Sequence, residues 1–165
     1  MALCLDANVF IEATRKRYPM DISPGFWDAI AEAGTRGVLF SIESVYLELK
    51  DSGDELSVWA KDHHKELFRP DSDRETQEAL VLVGGVLDAR LPPYRDEAKE
   101  EFLRGADAWL IAYCKAHNHT LVTEEVEAPQ SVVKVKIPDV CRPLAVPTIN
   151  ILAMLRAAKV KLVSA

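Results

Sequence analysis

The sequence predicts an α/β protein of three layers, with helices on both faces of a mainly parallel central sheet. Short apolar segments alternate along the chain with helical patterns, which is the element order of βαβ folds. The 165 residues are 48% apolar and 28% charged, a composition that suits one globular domain with a sizeable core. We therefore expect a single domain over residues 1–165, with a helical insertion at about 53–104.

The elements of the N-terminal half begin and end at recognisable residues. The apolar run 2–5 stops at Asp6, as a buried parallel strand does. Ser23 followed by Pro24 is typical of a helix start, and Gly37 of a helix end. In order, we predict a strand at 2–5, a helix through 9–13, a helix at 24–36, a strand at 38–40, a helix that Ser41 caps and that ends near residue 51, and helices at 53–68 and 73–89.

The C-terminal half continues the alternation of strands and helices. Pro92 and Pro93 indicate a turn, and Gly105 separates two helical patterns. In order, we predict helices at 94–103 and 106–117, a strand at 120–123, an extended segment at 134–137, a short helix from Pro138, a brief strand at 148–150 and a helix at 151–158. The pattern also permits a last strand at 160–163.

Composition argues against several classes of protein. No apolar stretch approaches the roughly 20 residues of a membrane-spanning helix, and no basic leader precedes Asp6. We therefore expect a cytoplasmic protein with no membrane partner. The three cysteines are widely spaced, which excludes a CxxC motif and a disulfide framework.

The charge of the chain is unevenly distributed. The net charge is −6, yet residues 129–165 carry six bases and one acid. A solvated basic segment and a local patch for phosphate both fit this asymmetry.

Acidic residues cluster in the sequence around the ends of the predicted strands. Because the carboxyl ends of parallel strands meet at one edge of a sheet, their side chains can converge there. Two carboxylates about 4 Å apart repel by roughly 4 kcal/mol at an effective dielectric near 20, so a converged cluster requires a hard cation such as Mg2+. Each acid alone also fits a plain role as a helix cap or a solvated charge. The candidates are Asp6, Glu43, Glu48, Asp107, Glu124 and Glu125.

Four short motifs occur in a familiar order, namely Leu5–Phe10, Glu48–Leu49, Gly105–Ala112 and Leu121–Glu125. Together they resemble the PIN domain, a fold of metal-dependent nucleases that includes the VapC-like ribonuclease toxins of toxin-antitoxin pairs. Three further stretches look like a PIN-like bacterial subfamily, namely Pro24–Trp27, Phe40–Glu43 and Lys136–Cys141. The resemblance spans nearly the whole chain.

The resemblance implies a function and a set of site residues. Asp6, Glu48, Asp107 and Glu125 match the family's catalytic, metal-binding acids, and Asn8 matches a substrate-positioning residue. The implied reaction is the hydrolysis of RNA phosphodiester bonds with Mg2+ or Mn2+. The implied partners are an RNA substrate and a protein antitoxin, and a homodimer is a further association to test.

Two departures from the family pattern add further candidates. The last acid is Glu where the family commonly has Asp, so Glu125 binds through water or yields its place to Glu124. Asp139 is an additional acid that the family pattern does not supply. Lys134 and Lys136 alternate with apolar residues, so an extended segment would present both to the phosphates of RNA.

Two other functions stay open at this point. A catalytically silent PIN-like domain that binds RNA or a protein would follow if Glu48 and Glu125 pointed away from Asp6. A receiver or phosphatase domain is disfavoured, because Asn8 stands where a DxD nucleophile motif has its second acid. The histidines of the chain lack the spacing of a zinc site.

Overall fold

A parallel sheet of five strands organises residues 2–163, the part of the chain that the computed structural model describes. Its strands are β1 (Leu3–Leu5), β2 (Leu39–Ile42), β3 (Phe68–Arg69), β4 (Thr120–Val122) and β5 (Thr148–Ile149). The helices are α1 (Ala7–Glu12), which continues into a π-helical turn (Ala13–Arg17), α2 (Pro24–Thr35), α3 (Glu43–Leu49), α4 (Glu55–Asp62), α5 (His64–Leu67), α6 (Arg74–Ala89), α7 (Asp96–Arg104), α8 (Ala106–His117), α9 (Ile137–Cys141) and α10 (Ile151–Ala157). The predicted α/β class with a parallel sheet is confirmed.

The strand order is β3-β2-β1-β4-β5, with β1 at the centre of the sheet. Cys4 of β1 lies opposite Phe40 of β2 on one side and Leu121 of β4 on the other. The chain leaves β1 in one direction for β2 and β3, and then returns to the other side of β1 for β4. The strand order therefore reverses between β1 and β4, where parallel α/β sheets typically bind their ligands.

Strand β1 and helix α8 are apolar because they lie at the centre of the core. Cys4 and Leu5 are buried between two neighbouring strands, and α8 buries seven of its twelve residues because it packs against α6 and α7. Ala108, Leu110 and Ile111 of α8 are completely buried. The start of α8 is thereby held at the same end of the sheet as Asp6.

Two strand boundaries differ from the sequence prediction. Ser41 lies inside β2 instead of capping a helix, and its hydroxyl donates a 2.7 Å hydrogen bond to the carbonyl of Leu5. The predicted helix over 53–68 is interrupted at His63 and ends in the edge strand β3. The range 53–104 thus contains four helices and also adds a strand to the sheet.

Two predicted extended segments are not strands in the structure. Residues 134–136 form a loop that leads into α9. The alternation placed Val133, Val135 and Ile137 on one face, but Val135 and Ile137 are buried whereas Val133 is 59% exposed. Residues 160–163 pair with no strand among the described residues. A loop of this kind does not hold Lys134 and Lys136 to a common face.

Candidate active site

Asp6 lies at the point where the strand order reverses. It follows β1, is completely buried, and has the extended backbone of a helix N-cap residue. One carboxylate oxygen accepts a 3.2 Å hydrogen bond from the backbone N–H of Asn8, and the other accepts a 3.1 Å bond from the hydroxyl of Thr123. Since Thr123 follows β4, these two bonds hold the carboxylate between the ends of β1 and β4.

Glu48 reaches this region from α3. Its Oε1 atom accepts a 3.0 Å hydrogen bond from the backbone N–H of Ala106, the first residue of α8. The N-terminal residue of a helix has a backbone N–H without a partner inside the helix, and a carboxylate is a favourable acceptor for it. The bond brings Glu48 beside Asp107, the next residue of α8.

Glu125, rather than Glu124, faces the same region. Its Oε2 atom accepts a 2.8 Å hydrogen bond from the backbone N–H of Ile137, where α9 begins. Glu124 binds elsewhere, because it accepts a 2.7 Å bond from the N–H of Ile151 and lies 3.5 Å from the guanidinium of Arg17. The two neighbouring acids thus accept hydrogen bonds from the starts of two different helices.

A cavity of about 290 Å3 opens at this end of the sheet. Its polar lining includes Asn8, Glu48, Asp107, Glu125 and Lys134. We refer to this cavity as the carboxylate pocket. The structure therefore brings three of the four acids that match the PIN pattern, together with one predicted lysine, to a single pocket.

The charges of the acids in this region act on Asp107 and Asp6. Burial first, and then the negative charges of Asp6, Glu125 and Glu48, raise the pKa of Asp107 to about 7, while the charge of Lys134 opposes this shift. Burial, together with the charges of Glu125 and Glu48, raises the pKa of Asp6 to about 6, against the lowering effect of the hydrogen bonds from Asn8 and Thr123. Asp6 is buried behind the carboxylate pocket, and the charges of the pocket acids still act on it.

The donor atoms of the pocket suit a hard divalent cation. They are carboxylate oxygens, the ligands that Mg2+ and Mn2+ prefer. Among residues 2–163, no group of three or more His, Cys, Asp or Glu side chains is arranged to hold a metal ion by itself. Mg2+ is commonly bound through only one or two carboxylates plus several waters, and the carboxylate pocket provides enough carboxylates for such a site.

Besides Glu124, three further candidates from the sequence lie outside the carboxylate pocket. Glu43 is 2.7 Å from the imidazole of His64, and Asp139 accepts a 2.9 Å hydrogen bond from the N–H of Ala128. Lys136 precedes α9 and is not part of the pocket lining that the structure describes. Glu43 and Asp139 thus have structural partners of their own.

Two site residues are not identified individually by their sequence. The hydroxyl of Thr123 fixes Asp6, and the motif of a strand that ends in Thr-Glu-Glu contains the signal for it. Glu101 of α7 also lines the carboxylate pocket. No local pattern distinguishes Glu101 from the other acids of α7, because its position depends on how α7 packs against α8.

Comparisons with known proteins give one match. A family model described as a domain of unknown function (DUF4411) matches residues 3–162. No curated protein and no solved structure matches the chain. Among the residues described, no helix has the length and hydrophobicity that crossing a bilayer requires.

Proposed function

The chain belongs to the DUF4411 family, and we propose that it is a Mg2+- or Mn2+-dependent ribonuclease that acts as the toxin of a toxin-antitoxin pair. The observation that carries the proposal is the convergence of Glu48, Asp107 and Glu125 on one pocket at the reversal point of the sheet, where the charges of Glu48 and Glu125 also act on buried Asp6. The same four acids are those that match the PIN pattern in the sequence. An antitoxin partner, which that resemblance implies, and a cytoplasmic location, which the sequence predicts, are part of the proposal.

The acids of the carboxylate pocket are the proposed metal ligands. One or two of the residues Asp6, Glu48, Asp107 and Glu125 would bind the ion directly, and the others would hold its bound waters. When bound, such an ion supplies a water of lowered pKa and offsets negative charge on the leaving oxygen. Without a cation, the raised pKa of Asp107 keeps that carboxyl partly protonated near neutral pH.

The remaining groups position the acids and the substrate. The hydroxyl of Thr123 orients the carboxylate of Asp6, and helix starts orient Glu48 and Glu125. Asn8 has an exposed side chain at the pocket and can donate to or accept from a substrate oxygen. Lys134 provides positive charge for a phosphate there.

The alternative hypothesis, a catalytically silent domain that binds RNA or a protein, required that Glu48 and Glu125 point away from Asp6. The charges of both residues instead act on the pKa of Asp6, which favours a working site over a passive binding surface.

The direct test is cleavage of a random-sequence pool of single-stranded RNA with Mg2+ or Mn2+, against an EDTA control. We expect metal-dependent cleavage that Asp107→Asn reduces at least about 100-fold, because a lost metal ligand should cost no less than a lost second-sphere group. Glu43→Gln is the matched control, since it removes an acid that pairs with His64 outside the pocket. The proposal fails if the parent does not cleave the pool with either ion, or if Asp107→Asn cleaves at the parent's rate.

A further inference from the structure

A second cavity adjoins the carboxylate pocket. Its volume is about 70 Å3, and Arg15 contributes to its lining. Ile11 and Glu48 line both cavities, so the two meet at these residues. A ligand that crosses Glu48 can therefore reach from the carboxylate pocket to Arg15.

The π-helical turn carries three consecutive bases that differ in their partners. Lys16 lies 2.9 Å from Glu12, and Arg17 lies 3.5 Å from Glu124. Arg15 is exposed, and no carboxylate among the described residues lies within 4 Å of it. Arg15 is thus the base of this turn whose charge is available to a ligand.

The hydrogen bonds from Ser52 and Ser57, and after them the charge of Arg15, lower the pKa of Asp54, whose carboxylate is already bound. It accepts a 2.6 Å hydrogen bond from the hydroxyl of Ser52 and a 3.0 Å bond from the backbone N–H of Ser57, where it caps α4. An acid that caps a helix in this way does not need the guanidinium as a partner.

Lys134 is the counterpart of Arg15 on the other side of Glu48. It lines the carboxylate pocket, and its charge acts on Asp107 without an ion pair within 4 Å in the described part of the chain. Each of the two adjoining cavities therefore contains one cation without a close carboxylate partner.

We infer that Arg15 and Lys134 bind phosphates of one single-stranded polynucleotide that crosses the carboxylate pocket. This inference rests on the proposed function, and it extends the binding surface beyond the predicted lysines. A chain of net charge −6 repels a polyanion, so cations on both sides of the acids are what lets a strand approach them. Single strands are typically bound by positively charged grooves that follow the backbone, and the two adjoining cavities with their two cations provide such a path.

The test is the salt dependence of binding to a short single-stranded RNA, measured by fluorescence anisotropy in EDTA so that the RNA is not cleaved. Arg15→Ala and Lys134→Ala should each lower the log-log salt slope by about 0.7, the value for one lost phosphate contact to a single strand. Lys16→Ala is the matched control, because it removes an adjacent exposed charge that pairs with Glu12. Its slope should equal that of the parent.

The result that overturns the inference is an equal slope for Arg15→Ala and Lys16→Ala. Binding of a duplex of the same sequence, with affinity equal to the single strand and unaffected by Arg15→Ala, would overturn it too. Failure of the proposed function looks different: the parent would bind RNA with the predicted slopes but would not cleave it with Mg2+ or Mn2+. If the parent cleaves RNA but Arg15→Ala has the same salt slope as the parent, the proposed nuclease function stands and the inference about Arg15 fails.

Discussion

Asp107→Asn should stabilise the metal-free protein at alkaline pH. The substitution keeps the shape of the side chain and removes a charge that is buried beside three other acids. Among the described residues no hydrogen bond to this carboxylate is found, so the change removes no structural bond there. Asp6 is a less clear choice, because its carboxylate also caps α1.

The size and sign of the effect follow from the pKa of Asp107. Its value rises from 3.8 to about 7 on folding, so the folded state holds the proton more tightly than the unfolded chain. Stability is therefore lost as the pH rises from about 4 to about 7, and the loss is complete above that range. A shift of about 3 pKa units corresponds to about 4 kcal/mol, and sharing of the shift with neighbouring acids lowers the net gain to about 2 to 4 kcal/mol.

The assay is thermal unfolding in EDTA between pH 4 and pH 8.5. At pH 8, Asp107→Asn should melt about 4 to 16 °C above the parent, since each kcal/mol moves the Tm of a domain of this size by roughly 2 to 4 °C. At pH 4 the two should melt together. Asp28→Asn, at an exposed acid of α2, should follow the parent throughout. A lower Tm for Asp107→Asn at pH 8, or a difference that does not change with pH, would refute the reasoning.

Two further predictions concern the pocket and the core. Lys134→Ala should raise the pKa of Asp107 in a carboxyl NMR titration, because the lysine charge opposes the shift, whereas Lys136→Ala should leave it in place; equal effects would contradict the placement of the two lysines. Gly34→Ala should lower the free energy of unfolding in urea by about 1 to 3 kcal/mol, since its Cβ would lie 2.5 Å from a buried leucine side chain. Gly85→Ala, in open space on α6, should raise it by about 0.5 to 1 kcal/mol, and a loss of stability there would contradict the open surroundings of Gly85.

The part of the fold that the sequence predicts best is the part with the strongest local pattern. The strand before Asp6 is buried on both faces, so its residues are apolar without interruption, and its end is marked by a charge. The helix from Ala106 is similarly clear. Strand β3 is not predicted, because two residues, Phe68 and Arg69, carry no periodicity, and only their pairing with β2 makes them a strand.

The choice between paired acids depends on the surroundings of each side chain. In the sequence, Glu43 and Glu48 both lie at the margins of the apolar face of α3. In the structure, Glu43 pairs with the imidazole of His64 on α5, outside the pocket. Glu124 and Glu125 are adjacent, and they separate because α9 and α10 begin at different places. Such choices are made by tertiary contacts that a local pattern does not contain.

The attachment of Glu48 and Glu125 to helix starts has a consequence for how easily a ligand can bind. A free glutamate side chain loses up to about 1.5 to 2 kcal/mol of rotamer freedom when it is fixed. Glu48 and Glu125 are each already fixed by a backbone N–H, of Ala106 and Ile137 respectively. That entropic cost falls on folding instead of on binding, so an incoming cation or phosphate meets a preorganised surface. Folding and ligand affinity are thereby linked, and a variant that loosens the start of α8 or α9 would weaken binding while every acid is still present.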